Sequence, residues 1–548
     1  MNWEDYKRQI ERDGKLAEDY YILGIDLGTT NSVISFWDSV SGKPVPIDIS
    51  NGFGKAPMPS VVQYRADEEG ASGEWVVGEE AYRSLKIYPD ATARSVKRKM
   101  GTAEAFPLAG REYAPEELSA RILRALIDHC ENLNPKAEIA GVVVSVPYDF
   151  DDAAKKATMR ACELAGLKDA LICLVEEPKA AALAYNFKNK LNFGEKIMVF
   201  DFGGGTLDIT VFNVAQRPDG GVKLQVISEG GEAFHGGDNV DETVIARCYE
   251  FIAGKTGQGR EALSRENQVE LELKAREAKE RLSGVKNFRI PFTFCIPPFV
   301  EQLSREDFEA LISPFIEKTR KLAQKTLREA YTGPLSPESV TRILLEGGSC
   351  QMPWVREMLM DIARDADKIY ASDTPALDIS LGATYYAAMK MGLLSQPDME
   401  TEKLSPPIEF ETTVPHDIGF EVCHGNKRSF FTMIKRGTTY ALATKSKIFP
   451  IYGETEEDMT SFGLKILERI NKDDSIGDCR LIGEVEITGL PPRPSGKTRL
   501  NITISAAEEG GIVYGSVADM GCGADFPATD YKKDFNPSRF EKVRLEKG

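Results

Sequence analysis

Residues 196–214 read KIMVFDFGGGTLDITVFNV: an apolar run, Ile197 to Phe200, reaches Asp201, then three glycines, Thr206 and a second apolar run of alternating character. Taken alone, glycines between two β-rich runs mark a hairpin turn, because glycine takes positive φ at little cost. A second copy adds to this reading. Residues 21–38, YILGIDLGTTNSVISFWD, repeat the plan with Asp26, Gly28, Thr29 and Thr30, and an internal duplication is the economical explanation. Two such hairpins facing each other across a cleft would bring two carboxylates, unhindered backbone N–H groups and several hydroxyls to one point. That inventory suits a magnesium polyphosphate, since turn N–H groups bind anionic oxygens and carboxylates hold Mg²⁺ directly or through its waters. Neither loop carries G-x-x-x-x-G-K-[ST] or G-x-G-x-x-G, so a P-loop is excluded there and a dinucleotide site has little support.

The rest of the chain bounds this idea. Its 548 residues imply more than one domain. A formal charge of −17 disfavours a nucleic-acid partner, and SVKRKMG (95–101) is the densest basic patch. The nine cysteines stand singly without a C-x-x-C pair and the four histidines are scattered, so neither a disulfide framework nor a zinc site is expected. The first 20 residues are charged, with Trp3, Tyr6 and Ile10 at helical spacing and no signal-peptide core. No apolar run is long enough to span a membrane, and a cytoplasmic protein without membrane or nucleic-acid partners is expected.

Residues 21–190 read as one α/β half: the hairpin, β-rich sequence around PMPSVVQYRA and GEWVVGEEAY, a helix in APEELSARILRALIDHCENL, and a buried strand in EIAGVVVSVPYDF. A helix in DDAAKKATMRACELAG, a strand in ALICLVEEP and a helix in PKAAALAYNF complete it. The second half repeats the style, with helices in NQVELELKAREAKERLSG and SREDFEALISPFIEKTRKLAQKTLREA. It ends on the strand, glycine pair, Ser349 and helix of VTRILLEGGSCQMPWVREML. Near residue 392 the texture changes to the Pro-, Glu- and Ser-rich LSQPDMETEKLSPPIEFETTVP, which reads as a linker. Short alternating runs follow, such as SFGLKILERI and TRLNITISAA, as in an all-β sandwich, with helical character expected only in the last dozen residues.

Over residues 21–526 the chain resembles the 70-kilodalton heat-shock chaperones, the DnaK family. The segments that carry the resemblance, in order, are GIDLGTTNS, VVVSVPYDF, EEPKAAALAY, VFDFGGGTLDIT, FHGGDNVD, LEGGS, IKRGTT and LIGEVEITGLPPRPSG. The resemblance implies an α/β, bilobed, actin-like ATPase domain at 21–392, a linker at 393–412 and a β-sandwich at 413–526 that binds unfolded or extended polypeptide. An N-terminal extension (1–20) and a short tail (527–548) without the family's helical lid flank them. It implies ATP/ADP and Mg²⁺ as cofactors, with K⁺ as a further ion, slow ATP hydrolysis, and J-domain and nucleotide-exchange co-chaperones as partners.

Roles follow by similarity. Asp26 and Asp201 would orient hydrated Mg²⁺. Gly28, Thr29, Thr30, Gly203, Gly204, Gly205 and Thr206 would hold the phosphates, with Gly236, Gly237, Lys279, Ser283, Gly347, Gly348 and Ser349 completing the nucleotide site. Lys97 would orient the attacking water, with Glu177 near it; Glu176 stands where the family keeps Asn, so the choice between the two glutamates rests on register. In the sandwich, Phe420, Phe449, Phe462, Leu464 and Ile466 match apolar cleft positions and Tyr452 one side of an arch over the peptide. Four departures stand out: Glu280 and Gln351 replace arginines of the adenosine site, Glu176 replaces Asn, and Lys155 replaces the arginine partner of Pro147. The alternatives are a non-hydrolysing, nucleotide-sensing scaffold and a sugar-kinase-like enzyme on the same ATPase fold.

Overall fold

The computed structural model describes residues 2–13, 20–49, 56–66, 73–395, 408–411, 413–414, 416–424, 427–452, 459–470, 474–507, 513–535, 541–544 and 546–547. Most of the expected linker (396–407 and 412) lies outside the described residues. The chain forms two compact units, Met1–Glu409 and Phe410–Gly548.

The first unit is built on two sheets of the same plan. Strands β1 (Tyr20–Asp26), β2 (Asn31–Asp38), β3 (Lys43–Pro46), β4 (Met58–Pro59), β5 (Glu138–Val146) and β6 (Leu171–Glu176) form one, in the order β6-β5-β1-β2-β3, with β4 against β2. Strands β7 (Lys196–Phe202), β8 (Thr206–Gln216), β9 (Val222–Ala233), β10 (Arg342–Glu346) and β11 (Ile369–Ala371) form the other, in the order β11-β10-β7-β8-β9. In both, the glycine-threonine hairpin is antiparallel, and the two strands on its far side run parallel to its first strand. The duplication read in the sequence is therefore a duplication of topology. Parallel strands buried on both faces need continuous apolar runs, which β5 and β7 supply: Val142–Val144 and Ile197–Phe200 are fully buried.

Helix α1 (Trp3–Asp13) lies against the first sheet, burying Tyr6 and Ile10; the Tyr6 hydroxyl donates to Glu138 Oε2 (2.6 Å). In α2 (Asp152–Leu164) the Asp151 carboxylate caps the N-terminus by accepting from Ala154 N (2.6 Å). Helices α3 (Glu177–Asn189) and α6 (Asp378–Lys390) cross closely: a Cβ on Gly382 would stand 1.9 Å from the Ala180 carbonyl oxygen. Between them in sequence run α4 (Gly237–Thr256) and α5 (Arg265–Gly284). The stretch from Ser304 to Arg328, read as one helix in the sequence, is two, Arg305–Leu311 and Ser313–Arg328. Pro314 has no N–H to donate and opens the second helix in its first turn.

The second unit is a sandwich of two five-stranded sheets among the described residues. One orders Lys427–Ile434, Asp417–His424, Met459–Arg469, Arg480–Arg493 and Glu541–Arg544; the other orders Thr444–Ile451, Thr498–Ala506, Val513–Asp519, Tyr531–Phe535 and Glu546–Lys547. The last residues are thus strands rather than helix, because backbone groups at two open sheet edges pair with them: 531–535 runs antiparallel to 513–519, and 541–544 parallel to 480–493.

Candidate functional site in the first unit

Both hairpin turns open onto one cleft of about 410 Å³, and the glycines are explained by what the other turn places against them. A Cβ on Gly204 would stand 2.0 Å from Thr30 Oγ1, and one on Gly205 2.8 Å from Thr29 Oγ1. Gly347, at φ +81°, would carry a Cβ 2.4 Å from the Phe202 carbonyl oxygen and 2.9 Å from Asp201 Oδ1. Only residues without a side chain let the three loops close to this distance.

Asp26 ends β1 and Asp201 lies near the end of β7, so duplicated strands deliver duplicated carboxylates to the cleft. Ser145 Oγ donates to Asp26 Oδ1 (3.0 Å). Burial, then the charge of Glu177, push Asp26 up to about 6 despite Lys97 and Ser145; burial and the charges of Glu177 and Asp26 raise Asp201 well above the usual carboxylate range. Acids in this condition are poised to accept a cation, which would relieve their repulsion. Behind them Asp208 is fully buried, with its Oδ1 unpartnered and its pKa raised by burial and by Asp149.

Lys97 lies on a single 3₁₀ turn, Val96–Lys99, entered through Ser95 in the left-handed region (φ 53°). Its ammonium pairs with Glu177 at the start of α3, and the two residues are 8% and 5% exposed. Burial pulls the lysine pKa down, but Glu177 and Asp26 outweigh it and the net shift is upward. The neighbouring Glu176 turns away, pairing with Lys179 (2.6 Å) and standing 3.9 Å from Lys155.

At the other end of the cleft, α5 presents Arg276, Lys279, Glu280 and Ser283, an i, i+3, i+4, i+7 face. Lys279 Nζ pairs with Asp241 (2.7 Å) and donates to the Gly237 carbonyl (3.1 Å); Arg276 holds Asp238 (3.1 Å) and Asp241 (3.2 Å). Ser349 Oγ donates to the Gly203 carbonyl (2.7 Å). Gly28, Gly203, Thr206, Gly348 and Ser349 line the cleft with the residues already named, whereas Gly236 and Gly237 do not. Those two brace it from behind: Gly237 N donates to the Gly203 carbonyl (3.0 Å), and a Cβ on Gly236 would meet the Gly204 carbonyl oxygen at 2.4 Å. Sequence reasoning missed Asn31, Asp238, Arg276, Met352, Pro375 and Ile379, which also line the cleft; for Arg276 the helical spacing to Lys279 and Ser283 was a usable signal.

In the sandwich, Phe420, Leu464 and Ile466 belong to the buried core. Phe449 is half-buried, edge-on to Phe420 (5.7 Å between centroids) and Phe431 (5.2 Å); Phe462 is half-buried and Tyr452 is 72% exposed.

The sequence model of the family described as Hsp70 protein matches residues 22–107 and 104–528. The chain belongs to the Hsp70 family. It is 32% identical over 516 residues to the chaperone protein DnaK of Thermosipho melanesiensis, covering 92% of this chain and 79% of the relative. The DnaK of Thermotoga maritima is 32% identical over 520 residues (92% and 79%), and that of Mycoplasmopsis synoviae 32% over 512 (91% and 77%). The fold of this Hsp70-family chain is accordingly the bilobed, actin-like ATPase architecture followed by an all-β sandwich. Among its described residues no helix is long and apolar enough to cross a membrane, and no group of three or more His, Cys, Asp or Glu side chains could hold a metal ion.

Proposed function

We propose that this chain is a chaperone that hydrolyses ATP in its first unit and binds extended apolar polypeptide in its second. The observation that carries the reading is the buried Lys97–Glu177 pair set among Asp26, Asp201 and two facing glycine-threonine turns. The nucleotide-binding part would run over about 21–392 and the linker over 393–412, with the peptide-binding part from 413 taking in the strands at 531–547 that complete its sheets. The DnaK relatives support the chaperone role; J-domain and nucleotide-exchange partners belong to the proposal, and singly placed cysteines suit a reducing cytoplasm.

The backbone N–H groups and hydroxyls of 28–30 and 203–206 would donate to the phosphate oxygens. Glu177 would accept a hydrogen bond from the attacking water while Lys97 offsets charge on the γ-phosphoryl oxygens. Hydrolysis of this kind needs positioning and charge neutralisation more than a strong base. Two carboxylates raised by burial and by the charge of Glu177 would hold a divalent cation that keeps part of its water shell, as Mg²⁺ does; bound there, it would neutralise phosphate oxygens. In the sandwich, Phe449, Phe462 and Tyr452 have surface to offer a peptide, while Phe420, Leu464 and Ile466 would shape the cleft from within.

Single-turnover hydrolysis of Mg·ATP, with and without an unfolded apolar peptide, tests the reading. Slow, Mg²⁺-dependent cleavage that peptide accelerates is expected. Nucleotide binding with no cleavage would establish the scaffold instead, and cleavage only after adding a small hydroxylated acceptor would establish a kinase.

A further inference from the structure

A smaller cavity of about 190 Å³ adjoins the catalytic-site candidates. This cavity and the nucleotide cleft share Thr29, Lys97 and Thr206; the reading above, on which this inference rests, sets Lys97 at the γ-phosphoryl group and both threonines among the groups that hold the phosphates. We propose that this cavity is the exit by which inorganic phosphate leaves the chain after cleavage, independently of the nucleotide cleft.

Its size admits a tetrahedral oxyanion and excludes a nucleotide, whose cleft has more than twice the volume. It also carries an attraction not yet spent. Arg98, next to Lys97, has a side chain only 12% exposed; among the described residues its Nε is buried without a hydrogen-bond partner, and its terminal nitrogens make long contacts, 3.8 Å to Asp238 and 3.3 Å to Asn239. The outer wall is Phe234, an aromatic side chain 58% exposed on a backbone at φ +61°, with the Arg98 guanidinium 4.6 Å from its ring centroid. A non-glycine residue at positive φ is held in a sparsely populated conformation. Releasing the arginine from the ring would open the mouth and free donors for phosphate in one movement. Asp149 and Asp151 also line the cavity. They oppose retention of an anion, so the cavity conducts phosphate rather than storing it: Arg98 draws the anion toward Phe234, and the two carboxylates keep it from settling.

Two substitutions outside the catalytic candidates push in opposite directions. Ala233 is exposed and pairs with Thr206 across β8 and β9, so Ala233→Trp fills the passage from the same face; Phe234→Ala removes the outer wall. Cleavage by quenched flow, phosphate release by a fluorescent phosphate sensor and release of labelled ADP are followed in one turnover of Mg·ATP. Phosphate release is expected to slow roughly tenfold in Ala233→Trp and to quicken severalfold in Phe234→Ala, with cleavage and ADP release as in the parent chain, the behaviour of a step gated after chemistry. Entry of inorganic phosphate into the Mg·ADP-bound chain should change in the same two directions. Cleavage with phosphate release unaltered in both variants, or phosphate leaving only with ADP, would overturn the exit while leaving the ATPase reading intact. Absence of cleavage in the parent chain would overturn both.

Discussion

Among the described residues each unit holds an ion pair with both side chains less than one-tenth exposed, and the two pairs are used differently. Lys97 and Glu177 are 8% and 7% exposed at their side chains, Arg493 and Asp519 5% and 0%. Around Arg493 and Asp519 every charge is answered: two hydrogen bonds donated by the guanidinium to the carboxylate (2.6 and 2.9 Å), a further arginine donation to the Pro527 carbonyl (2.7 Å), and donations to the aspartate from Gly521 N and from Thr529 N and Oγ1. Around Lys97 and Glu177 the account is open, with Asp26, Asp201 and Asp208 raised and Asp208 Oδ1 unpartnered. A saturated pair fixes the chain at 519–529; an unsaturated one leaves acids in want of a cation and a lysine able to answer an anion. The first spends its electrostatics on architecture and the second keeps it for a ligand.

The sharpest way to break this comparison is to remove each lysine or arginine in turn. Arg493→Ala should destabilise the sandwich by about 3–5 kcal/mol, the cost of stranding a buried carboxylate, read as a lower denaturant midpoint, while single-turnover ATP cleavage continues. Burial raises the Asp519 pKa, but the bonds from Arg493, Thr529 and Gly521 outweigh it and the net shift is downward. A depressed carboxylate contributes stability above its unfolded pKa near 3.8 that is lost as pH falls through the lower folded value. The variant should lose that acid-limb dependence, and an unchanged midpoint would show the pair to be dispensable. Lys97→Ala should reduce cleavage by about 10²–10³, the usual effect of deleting one preorganised electrostatic group, with nucleotide still bound. Cleavage at the parent rate would remove lysine from the chemistry.

A smaller effect separates burial from charge pairing. His235 is 2% exposed, stacks on Phe315 (3.9 Å between centroids), hydrogen-bonds Thr319 (2.8 Å) and is pushed down to about 4, chiefly by burial. The unfolded chain takes up this proton near pH 6.5, so stability is full above that pH and falls between 6.5 and 4, by about 3 kcal/mol in all at 1.36 kcal/mol per unit. Equilibrium unfolding of the first unit against pH should show this slope, and His235→Leu should flatten it. The smallest expected change is at Glu280: if it stands beside the adenine base as proposed, Glu280→Arg should tighten ATP binding by about 0.5–2 kcal/mol through a cation–π contact. Calorimetry that finds binding unchanged or weaker would place residue 280 away from the base.

Much of this was legible in advance because it is local. An aspartate, glycines and threonine at a strand end announce a ligand turn wherever the chain later goes, and two copies announced two sheets of one plan. The choice between Glu176 and Glu177 was not legible. The pair straddles the junction of β6 and α3, where one step along the chain turns the side chain to a different neighbour, and the fold sends Glu177 to Lys97 and Glu176 to Lys179. Nor could spacing show that Gly236 and Gly237 brace the 203–205 turn instead of facing the cleft, since that depends on α4 packing against residues more than thirty positions earlier.

In the sandwich the alternation of apolar residues determined which side chains face inward, but not whether inward means core or cleft. Phe420, Leu464 and Ile466 went to the core and Tyr452 to the surface. A period of two fixes a face from the pleat alone, while what covers that face is supplied by strands from elsewhere in the chain. The sequence by itself thus determined the chemistry at each strand end and the duplicated plan. The tertiary structure decided which charges meet, because a buried charge takes its pKa and its partner from groups that only folding brings within a few ångströms.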